Sequence, residues 1–344
     1  MHGPSEKSTT VRAGKQQREP RTDPRLPWLR QVFRVLEPLA PGLGSRLAWK
    51  LWTTTVKPDA KAVERSRAAG MGEVRMLRIK LPDWTGERPT APDGTPKPPL
   101  TTDIAVELLG PEDGPLVYLL HGWGGWRGQF APIGRALAAR GFRAVLIDAP
   151  NHGDSGPGTL GAGAVVLPDF TLTLEAVVRE LGPAYAIVGH SLGGGCSAFA
   201  ILEGLEARRA VFVAPAVDPD AFTKELATML GFGERIRTRM LAIAMRRTGY
   251  TPPDFVLPAR LAARDDLPDA LVLHDAEDPV VRVDNGRTMA DSWVGARLVV
   301  TSGLGHNRIL RDEASVETVA GFIARGEVAS AHDGAAAIEA CSRS

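Results

Sequence analysis

The five residues Gly189-His190-Ser191-Leu192-Gly193 constrain this chain more than any other feature of it. They follow the apolar run Ala186-Ile187-Val188 and precede a stretch of small residues with helical character. A buried strand must therefore turn abruptly into a helix, with a serine at the apex. Such an elbow lifts the serine hydroxyl above the sheet, and glycines on either side let neighbouring backbone come closer than a Cβ would permit. The pentapeptide alone recurs by chance, but strand, elbow and helix together single out Ser191 as a nucleophile.

An elbow of this kind belongs in a parallel sheet, and the rest of the chain supplies one. Apolar runs at 116–120, 144–147, 184–188, 210–213, 270–273 and 297–300 have the composition of strands buried on both faces. Helical patterns at 127–140, 170–181, 192–207, 285–293 and 313–324 alternate with them, which is an α/β arrangement with helices on both sides of the sheet. Two earlier runs, 74–81 and 104–109, alternate in polarity and are joined by a Pro-rich loop, 82–99, so they form an antiparallel lead-in. The stretch 217–269 is too long for one crossover, and its apolar spacing marks two extra helices, read as a small helical cap inserted after the sixth strand.

Outside this core, residues 1–27 are polar, mildly basic and Pro-containing and are read as a disordered tail. Residues 28–69 follow, with Leu29, Val32, Phe33, Leu36 and Leu39, then Leu43, Leu47, Leu51 and Trp52, at helical spacing. These are two amphipathic helices whose stripe packs on the main domain. Contact with a membrane surface is the alternative, because basic residues and tryptophans accompany the stripe. The core is assigned to 70–216 and 270–325, the cap to 217–269 and a second disordered tail to 326–344.

A serine hydroxyl is a weak nucleophile until a base takes its proton. Of seven histidines, His306 stands immediately after the last strand and satisfies the chain order serine, acid, histidine. The acid that orients it must lie between the two on a loop at the carboxyl end of a strand. Asp278 in His274-Asp275-Ala276-Glu277-Asp278-Pro279-Val280 is the assignment. Asp275 and Glu277 in the same loop, and Asp218 or Asp220 after the preceding strand, are its rivals. Attack on an acyl carbonyl creates an oxyanion, which two backbone amides must hold. One is that of Leu192; the other comes from His121-Gly122-Trp123-Gly124-Gly125 after the third strand, where the Trp123 amide is assigned. Trp126 and, from the cap, Phe222, Met229 and Met240 are expected to wall an apolar substrate pocket, a role that packing between cap and core explains equally.

These motifs, together with Asp148-Ala149-Pro150-Asn151-His152-Gly153-Asp154-Ser155, resemble the α/β-hydrolase superfamily in order and spacing over residues 70 to 325. Within it the chain looks like the carboxylesterase and lysophospholipase-like members with a short helical cap. The resemblance implies an eight-stranded mostly parallel sheet and ester hydrolysis through an acyl-enzyme, with no metal and no cofactor. Two departures stand out: Asp275 where many members have glycine, and no arginine in the 148–152 loop. Thioesterase, acyltransferase or carbon-carbon bond hydrolase chemistry on the same triad, or a non-catalytic ligand-binding member of the fold, are the alternatives.

Composition narrows the partners. A net charge of +1 gives no global field to recruit nucleic acid, so the expected partner is a small-molecule ester. Cys196 and Cys341 have no metal-ligand spacing, and neither a secretory signal nor an apolar run of membrane-spanning length is visible, so a reducing, cytoplasmic setting is expected.

Overall fold

The computed structural model describes residues 25–55, 60, 61, 63, 64, 72–81, 100–325 and 337–339. The Pro-rich loop 82–99, most of both expected tails and Cys341 lie outside the described residues.

The chain forms one sheet in the order β1-β2-β4-β3-β5-β6-β7-β8-β9. Strands β1 (Glu73–Leu81) and β2 (Leu100–Leu109) pair antiparallel, and β2 pairs antiparallel with β4 (Arg143–Ile147). Strands β4, β3 (Leu116–Leu120), β5 (Ala184–His190), β6 (Ala207–Val213), β7 (Asp269–Asp275) and β8 (Arg297–Thr301) then run parallel. This is the mostly parallel eight-stranded sheet with flanking helices that the sequence implies. A ninth strand, Ala337–Glu339, adds antiparallel to β8. It falls inside the stretch 326–344 read as structureless, and corrects that reading for three residues. Three residues are too few to show a period, and pairing with the open edge of β8 supplies the backbone partners that local composition does not.

Successive strand residues enter opposite cores. Val117 and Leu119 of β3 pack on one face with α3 (Ala131–Ala138) and α11 (Glu313–Arg325). Tyr118 and Leu120 pack on the other with α4 (Leu167–Leu181) and α5 (Leu192–Leu202). Burial on both faces is why these strands read as unbroken apolar runs rather than alternating ones. Helix α9 (Val283–Ser292) makes the crossover from β7 to β8, and the short α10 (Gly305–Arg308) follows β8.

A third cluster lies apart from the sheet. Helix α1 (Leu26–Leu39) begins two residues before the expected boundary, because Pro27 suits the first helical turn. It is followed by α2 (Pro41–Thr53). Both pack on α6 (Pro219–Leu230) and α7 (Glu234–Thr248), the long helices between β6 and β7, where a third and shorter helix, α8 (Pro258–Ala262), precedes β7. Phe33, Trp49, Phe232, Ile236 and Met240 fill this layer. Gly44 lets α2 come in close: a Cβ there would stand 2.3 Å from Ile236 Cδ1. Among the described residues no helix is long and apolar enough to cross a membrane.

Phe33 is fully buried with its ring centroid 4.9 Å from that of Phe232. Phe33→Ala should cost about 3–5 kcal/mol in urea denaturation. A loss below about 1 kcal/mol would mean that the layer closes around the gap or adds little to stability.

Candidate active site

Strand β5 ends at His190 and α5 begins at Leu192, so Ser191 alone makes the turn. Its backbone sits at φ 55° and ψ −122°, a conformation that costs a residue with a Cβ about 1–3 kcal/mol. The surroundings hold it there. The Ser191 amide donates to the Val213 carbonyl at 2.9 Å, and its own carbonyl accepts from the amides of Gly194, Gly195 and Ala216 at 3.0–3.2 Å. A Cβ on Gly193 would lie 2.4 Å from the Leu120 carbonyl oxygen and 2.3 Å from that of His121, so the end of β3 and the elbow touch through bare backbone. A Cβ on Gly122 would lie 2.7 Å from Ser191 Cβ and 3.2 Å from its Oγ, which puts the loop after β3 directly against the serine.

Two histidines fix that loop. The Ala149 amide donates to His121 Nε2 at 3.0 Å, so the proton is on Nδ1, which donates to the Gly122 carbonyl at 2.7 Å. The Gly124 amide donates to His152 Nε2 at 3.1 Å, and His152 Nδ1–H donates to the Pro150 carbonyl at 2.9 Å. Burial holds both imidazoles below their ordinary pKa, His121 far below it, with His152 beside it adding to the effect. Both rings are thus neutral latches between the loops after β3 and β4. Among the described residues the amides of Trp123 and Leu192 donate to no protein acceptor.

On the other side, His306 Nδ1–H donates to Asp278 Oδ2 at 2.7 Å, while Asp278 Oδ1 accepts from the amides of Val280 and Val281 at 2.8 and 2.9 Å. His274 Nε2 lies 3.6 Å from Oδ2 and donates to the Val281 carbonyl. Burial pushes the Asp278 carboxyl up, but His274, His306 and the Val281 amide outweigh it and hold the group well below the usual carboxylate range.

The rival acids are engaged elsewhere. Asp275 accepts from Thr301 Oγ1, the Leu304 amide and the Glu277 amide, so it shapes the loop that carries His306. Glu277 accepts from Ser302 Oγ, Asp218 caps α6 through the Ala221 amide, and Asp220 pairs with Arg237 and Lys224.

The elbow and the histidine loop meet through His190. Its Nε2–H donates to the His306 carbonyl at 2.9 Å, with the two rings 4.6 Å apart. Burial, helped by His306, lowers the His190 pKa to about 3. No hydrogen bond joins Ser191 to His306 among the described residues. Catalytic contacts of this kind are often long before substrate is bound and tighten with it.

The expected pocket residues part company. Met240 is buried in the α1–α2–α6–α7 layer, Met229 is 46% exposed, and Phe222 is half-buried on α6. Met240 and Met229 therefore serve as packing and as surface, because α6 and α7 turn their apolar stripe toward α1 and α2. Trp126 is buried with its ring against Gly128, whereas Trp123 packs its edge on His152. Sequence reasoning overlooked Arg127, which lies fully buried between Asp148 and Asp154 with Glu107 at 3.7 Å. The guanidinium absent from the 148–152 loop thus reaches Asp148 from the turn Arg127–Phe130. Sequence reasoning also overlooked the latching roles of His121, His152 and His190, since an imidazole's partners across loops have no local signature.

A family model described as "Alpha/beta hydrolase family" matches residues 117–320, more than half of the chain. The chain belongs to the α/β-hydrolase family. Two curated relatives are pimeloyl-[acyl-carrier protein] methyl ester esterases. That of Nitrosospira multiformis is 41% identical over 94 residues, which cover 26% of this chain and 34% of that protein. That of Xanthomonas campestris pv. campestris is 28% identical over 222 residues, 58% of this chain and 83% of that one. Among solved structures, a thermophilic esterase from Thermogutta terrifontis superposes with a TM-score of 0.50 at 18% identity, covering 72% of this chain and 98% of that one. The α/β-hydrolase core here is thus a hydrolase scaffold with esterases among its relatives.

The buried histidines couple the folding of this α/β hydrolase to pH. The unfolded chain protonates His190 below its ordinary 6.5, and the folded chain only near 3, so its contribution is complete above 6.5 and is lost as pH falls toward 3. Asp148 and Asp169, whose carboxyls burial pushes up, act in the opposite sense. Comparison with His190→Gln isolates the histidine: the urea midpoint of the parent should fall more steeply between about pH 6.5 and 4.5 than that of the variant. Parallel curves would contradict a neutral buried His190.

Proposed function

We propose that this α/β hydrolase is a serine carboxylesterase that cleaves an ester of a small or medium apolar substrate through an acyl-enzyme. The observation that carries the reading is the Asp278–His306 pair at the carboxyl ends of β7 and β8, tied by His190 to the strained elbow of Ser191. With Nδ1–H committed to Asp278, Nε2 of His306 is the nitrogen left to take the Ser191 proton.

In the proposed reaction Ser191 Oγ attacks the acyl carbon while its proton passes to His306 Nε2. The carbonyl oxygen becomes an oxyanion, held by the free amides of Trp123 and Leu192, each worth about 3 kcal/mol in the transition state. The tetrahedral intermediate collapses, and the alkoxide leaves with the proton from His306. Water then gives a proton to His306 and attacks the acyl-serine, and the second collapse returns the proton to Ser191 Oγ and releases the acid. Asp278, already held ionised, stabilises the imidazolium in both halves. The curated relatives named as methyl ester esterases support an acyl ester as the substrate class.

Hydrolysis of nitrophenyl esters from acetate to palmitate tests this. Ser191→Ala and His306→Ala should each lower kcat by about 10³-fold or more, and Asp278→Asn should come close to that, with KM little changed. Undiminished turnover in Ser191→Ala would reject the assignment.

A further inference from the structure

Between α2 and α7 lies a cleft of about 760 Å³. Arg46 and Lys50 from α2 and Arg239, Arg246 and Arg247 from α7 line it, beside the Trp49 indole, and no carboxylate does. Among the described residues none of these five cations pairs with a carboxylate. The chain as a whole is nearly neutral, so this is a local concentration of positive charge. Like charges crowded on one cleft repel one another, and an anion placed there relieves the repulsion.

The neighbouring helix surface carries a second, independent signal. On α1, Leu29, Phe33 and Leu36 face the helical layer. A second stripe, Trp28, Val32, Val35 and Leu39, recurs at i, i+4, i+7 and i+11, and of these Trp28, Val35 and Leu39 are 65%, 56% and 78% exposed. Leu43, 58% exposed at the start of α2, shares one edge of that helix with Arg46 and Lys50 at i+3 and i+7. A helix needs one apolar stripe to pack; a second left in water on α1, with Leu43 beside Arg46 and Lys50 on α2, marks a surface that meets something both apolar and anionic.

We propose that the surface formed by α1, α2 and α7 docks on an anionic phospholipid membrane, with the cations of the cleft taking headgroup phosphates and Leu39 and Leu43 entering the apolar boundary. A soluble phosphate compound would satisfy the cleft but leave the exposed stripe in water, and a neutral bilayer would take the stripe but not the charge. The docking is independent of the reaction proposed for Ser191.

The test is co-sedimentation of the full chain carrying Ser191→Ala, which removes any lipid turnover, with vesicles of phosphatidylcholine alone or with about 30% phosphatidylglycerol. Binding to the anionic vesicles should exceed binding to the neutral ones by about tenfold or more. Arg46→Glu with Lys50→Glu, and separately Leu39→Asp with Leu43→Asp, should each weaken it by about tenfold, and because all four positions are exposed the variants should fold, as circular dichroism will check. Equal binding to both vesicles, no binding to either, or binding indifferent to both pairs of substitutions would overturn the proposal. So would pyrophosphate binding that Arg46→Glu with Lys50→Glu abolishes, in a protein that ignores the vesicles.

Discussion

Everything at this site hangs on the contact of bare backbone between the elbow and the end of β3. Gly193 lies so close to the carbonyls of Leu120 and His121 that no side chain fits between them. That contact fixes where α5 starts relative to β3, and with it the distance between Ser191 and the Gly122–Trp123 amides. The positive φ of Ser191 is the local cost of the arrangement, and the bonds from Gly194, Gly195, Ala216 and to Val213 offset it. A reaction that develops negative charge benefits when its donors are in position beforehand, and this rigidity provides that.

The electrostatics follow a consistent division. Three histidines around the serine, His121, His152 and His190, are held neutral by burial and are locked by backbone partners, so they act as fixed hydrogen-bonding struts. Among the described residues the carboxylate of Asp278 is the acid bonded to His306, and it is held ionised by two histidines and two amides. Asp275, adjacent in the same loop, shapes the backbone of residues 301–304 instead. Two carboxylates three residues apart in sequence thus separate the orientation of His306 from the folding of its loop.

Much of this was legible from the residues. Strands buried on both faces read as apolar runs because both cores draw on alternate side chains, and the elbow read clearly because only glycine tolerates its contacts. The pairing of Asp278 with His306 followed from loop position after β7 and β8. What the sequence could not show depends on distant neighbours. The amphipathic stripes of 217–269 do not say what they face, and here they turn toward α1 and α2, so Met240 packs away from the pocket role expected of it and Met229 faces solvent. Arg127 stood in the sequence only as the start of a helical pattern, although Asp148 and Asp154, more than twenty residues away, make it a buried anchor. Strand β9 depends on a free sheet edge far upstream.

The proposed esterase reaction requires that His306 and Asp278 activate Ser191 as a nucleophile. Labelling by a fluorophosphonate, followed by mass-spectrometric location of the adduct, tests it most directly. One adduct is expected, on Ser191, formed rapidly in the intact protein and lost in His306→Ala. An unlabelled Ser191 in the intact protein, or labelling that survives His306→Ala undiminished, would contradict it.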